Sequence, residues 1–223
     1  MKASSKRKLR FLAGFGLYFV VLWLLWNTPV VYPLKVFVVF LHEISHGIAA
    51  VATGGSIQRI ELSPRLGGLC HCPGGNPFVT LSAGYLGSLA WGALILEAGH
   101  RAGSRAQRVV QALGVLVLVL SVLFVRGVFG VVFGLLFGLA LILAAGRLSA
   151  AANRALLYVL GLTSALYAIL DIKSDVLDRP HLPSDAYMLS ELTGIPTVLW
   201  GLLWIGIALG VSTLLFLRAF RSA

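Results

Sequence analysis

The segment Leu34-Lys35-Val36-Phe37-Val38-Val39-Phe40-Leu41-His42-Glu43-Ile44-Ser45-His46-Gly47-Ile48-Ala49-Ala50-Val51-Ala52-Thr53 is apolar throughout except at Lys35 and around a polar centre, His42-Glu43-Ile44-Ser45-His46. At about 20 residues and ~1.5 Å per residue it has the length of one helical crossing of a ~30 Å hydrocarbon core. As a helix it carries His42 and His46 at i and i+4, on one face, so that two imidazoles converge on a single ion. Glu43 sits beside the pair. This is the H-E-x-x-H arrangement, in which two histidines hold zinc and the glutamate serves as general base. At the His and Glu frequencies of this chain, chance yields roughly 0.002 such matches. In a soluble protein the ordinary reading would be two core histidines bonded to neighbouring helices. In lipid, two imidazoles and a carboxylate are costly to bury, and ionisable groups there mark function. At about 12 and 18 Å along the segment, both rings lie well inside the hydrocarbon.

The rest of the composition places the whole chain in a membrane. Of its 223 residues 58% are hydrophobic and 12% charged, with a mean hydropathy of +0.92, which excludes a soluble globular domain. Lys and Arg number 18 against 8 Asp and Glu. They gather at the ends of apolar runs, which suits anionic lipid headgroups, and no nucleic-acid motif competes. Cys70 and Cys72, one residue apart, offer no disulfide framework.

Lys2, Lys6, Arg7, Lys8 and Arg10 precede an apolar run, Phe11 to Trp26, with no small-residue cleavage site after it. The expectation is a retained first span with a cytoplasmic N-terminus in the plasma membrane, anchored outside by Trp23, Trp26 and Tyr32. After the motif helix, Ser56 to Leu62 alternates like an edge strand, and the glycines and prolines of residues 67–77 forbid a helix. Cys70-His71-Cys72 reads as ordinary loop rather than as a second metal site, because adjacent strand residues point apart and no partner pair exists. Small residues four apart, at Ala83/Gly87, Gly84/Ser88 and Ser88/Gly92, form a face on which the motif helix can pack closely. Residues 109–146 are too long for one pass, divide at Arg126-Gly127, and read as scaffold. Residues 176–194 read as a polar loop.

The expected architecture is therefore one all-α polytopic membrane domain over residues 1–223, with about seven (six to seven) transmembrane helices and a short strand-like, re-entrant loop after the metal-motif helix. The spans fall at about 11–31, 34–53, 79–97, 109–125, 128–146, 155–172 and 195–217. Seven alternating passes divide the basic residues almost evenly between the two faces. Six passes, with residues 79–96 re-entrant, separate them better, but seven bring the metal ligands to matching depths.

A catalytic zinc needs three protein ligands. His71, His100 and His181 lie in loops, which leaves the aspartates. Asp171, at the end of a span and without a counter-charge beside it, is the first choice for the third ligand, with Asp185 and Asp175 as alternatives. Asp171 and Asp175 are four apart, so one can orient the other. Ile57, Ile60 and Leu62 are the expected substrate-binding residues, on a strand with which an extended substrate pairs.

Taken together, His42-Glu43-Ile44-Ser45-His46-Gly47-Ile48-Ala49-Ala50 with Thr53-Gly54-Gly55, then Ser82-Ala83-Gly84-Tyr85-Leu86-Gly87-Ser88, Asp171-Ile172-x-x-Asp175, Ser184-Asp185-Ala186 and Trp200-Gly201-Leu202-Leu203-Trp204, resemble the B-like branch of the site-2 protease metallopeptidases. The likeness covers nearly everything from residue 34. It implies an intramembrane zinc peptidase that hydrolyses peptide bonds of membrane-embedded proteins or peptides. His42, His46 and a distal aspartate would hold one catalytic zinc, and Glu43 would be the base. The Asn-Pro-x-Pro-x-x-x-Leu-Asp-Gly element that supplies the third ligand in better-studied members does not occur here, so the likeness leaves that ligand open. The competing expectation is a membrane protein that binds metal without cleaving: a transporter, a sensor or an inactive relative. A purely structural scaffold would carry no stoichiometric metal. Membrane desaturases and hydroxylases need many histidines, and here only two lie in a span.

Overall fold

The computed structural model describes residues 3–179 and 181–222, so Lys2 and Pro180 lie outside the described residues. In chain order the elements are α1 (Ala3–Leu25), α2 (Tyr32–Ala52), β1 (Arg59–Leu62), β2 (Gly68–His71), α3 (Pro77–Ala102), α4 (Ala106–Phe124), β3 (Val125–Arg126), α5 (Val128–Arg147), α6 (Ala150–Ile172), α7 (Asp185–Thr193) and α8 (Thr197–Ser222). The helix starts follow local chemistry. Prolines occupy the first turns of α2 and α3, where a missing N–H costs nothing, and the Asn76 and Ser149 side chains accept from the N–H of Val79 and Ala152. Six helical stretches among the described residues are long and apolar enough to cross a membrane; one of them, Pro77–Phe124, has 48 residues. It is broken at Gly103–Arg105 into α3 and α4. The result is the all-α polytopic fold expected from the sequence.

Helix α2 is the centre of the bundle: 72% of its most apolar window is buried, against 6% for α1. The small-residue face of α3 serves two neighbours. Gly84 and Gly87 lie against His42 and Ser45 of α2, while Gly92 lies against Gly161 and Ala165 of α6. The Ser164 hydroxyl donates to the Ser88 carbonyl at 2.8 Å. In the same manner Gly114 meets Gly138, and Gly134 meets Ser121, in the α4–α5 hairpin.

The segment after α2 folds as a hairpin that runs back along it. Ile57 packs at Gly47, Gly68 lies against the Glu43 carboxylate, and the Tyr32 hydroxyl donates to the Pro64 carbonyl at 2.8 Å. From Gly47 to Tyr32 is about 22 Å of helix, so the hairpin lies at membrane depth. The strand order is β2-β1-β3, with β1 antiparallel to β2 and parallel to β3. This corrects the edge-strand expectation: β1 is the middle strand, Ile60 and Leu62 are buried in the core, and the edges are β2 and the two-residue β3. Unpaired backbone at this depth is tolerated only where it lines a wet cavity. Cys70 and Cys72 also differ from the free loop cysteines expected. They are joined to each other, with Cα atoms 5.5 Å apart, where the chain leaves the end of β2.

The start of α1 and the end of α8 lie at one end of the bundle. Phe11 and Phe15 of α1 pack on Phe216 and Phe220 of α8, and Arg218 pairs with Glu97 near the end of α3 at 3.3 Å. Seven alternating passes would have put the termini on opposite faces. The departure is in α1, which runs beside α6 (Tyr18 to Thr163, 2.9 Å) in the same sense as α2. Residues 26–31 fold the chain back, with Lys35 Nζ over the Trp26 ring at 4.2 Å. The end that carries the termini therefore also carries the α3–α4 and α5–α6 turns. It holds Lys6, Arg7, Lys8, Arg10, Arg101, Arg105, Arg108, Arg147, Arg154, Arg218 and Arg221.

Candidate metal centre

Near the middle of α2 the His42 and His46 rings stand with centroids 4.8 Å apart and planes inclined at 73°. Both aim Nε2 at one oxygen. Asp185 Oδ2 lies 3.0 Å from His42 Nε2 and 3.3 Å from His46 Nε2. The three potential ligand atoms all lie within 4.8 Å of one another. His46 Nδ1 donates to the Thr80 carbonyl at 2.7 Å, which fixes the ring and leaves Nε2 free to face the aspartate. Two imidazole nitrogens, one carboxylate oxygen and an outer carbonyl that sets a tautomer form a donor set that fits catalytic zinc with one position open.

Asp185 arrives from a separate element. It is the first residue of α7, after the cap residue Ser184, whose Oγ accepts from the Tyr187 N–H at 3.2 Å, and Gly194 closes the helix in the left-handed conformation (φ 74°). Ala186 and Leu189 are buried with Tyr85, Ile172, Val176, Trp200 and Trp204, so an apolar cluster fixes where the aspartate points. Burial would raise the Asp185 carboxyl, but His46 and His42 beside it hold it below the usual carboxylate range, which favours the ligating form. On α3, a Cβ at Gly84 would fall on His42 Nε2 and Asp185 Oδ2. Gly84→Val is therefore expected to lose bound zinc. Gly146→Val, where a Cβ meets nothing within 4 Å, should keep it, as metal analysis of the two purified variants would show.

Glu43 is buried at 5% exposure, and the backbone of Gly68 lies so close that a Cβ there would overlap its carboxylate. Glu43, His42, His46 and Asp185 line one cleft of about 810 Å³, with Gly68 to Cys70 of β2 along one wall. Tyr85 presents its ring edge-on to His42, centroids 4.9 Å apart and planes at 82°.

The family model described as Peptidase M50B-like matches residues 15–215. The chain belongs to this family. No curated protein and no solved structure shows significant similarity. In this M50B-like protein the matched region takes in the motif helix, the re-entrant hairpin and α7. Of the residues expected from the sequence, His42, Glu43 and His46 meet Asp185, the alternative for the third ligand. Asp171, the first choice, ends α6 and lines the same cleft but lies outside the convergent group. Asp175 also lines the cleft but is outside the convergent group: it accepts from the Tyr85 hydroxyl at 3.2 Å and from Arg179 at 2.5 Å. Depth along a helix placed Asp171 at the level of the histidines, yet depth says nothing about lateral approach. Ile60 and Leu62 lie in the core beneath the hairpin, with Ile57 packed against it, and the cleft wall is made by the other strand. Thr80 and Gly68 carry no signal of their own in the sequence, while Gly84 and Tyr85 stand there only as part of the small-residue packing face and the family-like stretch. Residues 176–194, read as loop, contain α7, whose start and stop residues, Ser184 and Gly194, were visible.

Proposed function

We propose that this protein is an intramembrane zinc metalloendopeptidase acting on membrane-embedded proteins or peptides. The observation that carries this reading is the convergence of Asp185 on both imidazoles of the His42–His46 pair, with Glu43 beside them at the wall of one cleft. His42, His46 and Asp185 are the ligands. Zinc held there supplies the Lewis acidity that acidifies water and polarises a peptide carbonyl. Glu43 takes the proton of the attacking water and returns it to the leaving amine. A helical substrate hides its carbonyls in its own hydrogen bonds and must be unwound first. The free edge of β2 offers an extended segment main-chain partners along the cleft, the role expected from the sequence for Ile57, Ile60 and Leu62 on and just before β1.

Two observations support an orientation. The end rich in Lys and Arg faces the cytoplasm by the positive-inside rule, which puts the N-terminus there. The Cys70–Cys72 pair lies on the cleft side, and such bonds persist outside the reducing cytoplasm. In intact cells of a plasma-membrane host, a membrane-impermeant maleimide added after mild reduction is expected to label these cysteines. Labelling that needs permeabilised cells would reverse the orientation.

The activity is tested by reconstituting the purified protein in liposomes with a set of single-span reporter peptides and detecting products by mass. Zinc-dependent cleavage within the span, abolished by His46→Ala, is the expected result. Product formation unaffected by that substitution would remove the proposal.

A further inference from the structure

A second cavity, of about 630 Å³, opens between α1, α3, α6 and α8, away from the metal centre. Its polar end is formed by Arg10, His100 and Arg218, at the basic end of the bundle. Glu97 also lines it and pairs with Arg101 and with Arg218, the latter at 3.3 Å. Among the described residues, that end sets the Arg10, Arg101 and Arg218 guanidiniums beside the Glu97 carboxylate, so it is rich in basic groups. Beyond it the walls are apolar, with Gly14, Phe15 and Leu166 among them. At the deep end the Tyr18 hydroxyl is already bonded to Thr163 at 2.9 Å. The site thus has a cationic mouth and an apolar floor.

Its length selects the occupant. The lining residues run from Arg10 to Phe19 on α1 and from Ala155 to Ile169 on α6. That is about 13 and 21 Å of helix, close to one leaflet of a ~30 Å core and well short of the full crossing a substrate helix needs. Helix α1 has 6% of its most apolar window buried, and its Arg10 to Phe19 stretch lines the cavity from one side while α6 lines it from another. We propose that the cavity holds one anionic phospholipid of the leaflet on the basic side, with its phosphate on Arg10, Arg218 and His100 and one acyl chain between α1 and α6. The lipid then completes the seat of α1.

Native mass spectrometry of the purified protein with phosphatidylglycerol or phosphatidylcholine of identical chains tests this. One retained phosphatidylglycerol per chain is expected, preferred by about thirtyfold for two basic contacts. Gly14 lines the cavity and a Cβ there meets nothing within 4 Å, so Gly14→Leu fills the acyl slot without touching a charge. Gly16 has the same open surroundings but does not line the cavity. Gly14→Leu and Arg10→Gln should lose the bound lipid, while Gly16→Leu and Arg147→Gln keep it. Equal retention of both lipids, lipid retained in Gly14→Leu, or a co-purifying peptide in place of lipid would overturn the assignment.

Discussion

Glu43→Gln is expected to lower peptide-bond cleavage by about 10²–10⁴-fold while one zinc per chain remains. The carboxamide has the shape of the carboxylate and fits the same slot against Gly68, so the fold and the three ligands are untouched. What disappears is the carboxylate proposed as proton acceptor beside the cleft. A transporter or sensor built on the same ligands would scarcely register the change, because binding a metal needs no base. Cleavage rate and zinc content measured on the same preparation separate the two readings: activity lost with zinc kept supports a peptidase, and unchanged activity would remove Glu43 from the chemistry.

The second large effect concerns the third ligand. Asp185→Ala is expected to weaken zinc binding by more than about 100-fold, beyond the loss usual for an outer residue, whereas Asp171→Ala should change it far less. The geometry makes the contrast. One Asp185 oxygen lies within 3.3 Å of both imidazole nitrogens. Asp171 shares the cleft but not that point of convergence. Competition with a zinc indicator in detergent reads both variants. Equal losses would mean that α7 is displaced by zinc binding and that the ligand set differs from the one proposed.

The fold was legible wherever a single segment carries its own signal. Length and apolarity mark the long helices, and the i, i+4 spacing of His42 and His46 holds within one helix whatever packs around it. The glycines and prolines after α2 announce non-helical backbone just as locally. What could not be read was contact between distant segments. Asp185 reaches the histidines because α7 is pinned by Leu189, Trp200 and Trp204. No spacing in the chain encodes that approach, although Ser184 and Gly194 bracket the helix that makes it. The position of β1 was misjudged for the same reason. Alternation shows that Ser56 to Leu62 can be a strand, but the partner that occupies its second edge, Val125-Arg126, is far away in sequence. The small-residue rows of α3 sit between these cases. They predicted close helix contact, and the structure adds that a side chain at Gly84 would fall on His42 and Asp185.

The central claim is that a zinc ion is held by two histidines and an aspartate within the bundle. Zinc K-edge X-ray absorption on the purified protein tests it most directly. The account predicts one zinc per chain with only nitrogen and oxygen neighbours, at about 2.0–2.2 Å. A sulfur shell near ~2.3 Å, which would draw on Cys70 and Cys72, or no zinc at all, would contradict it.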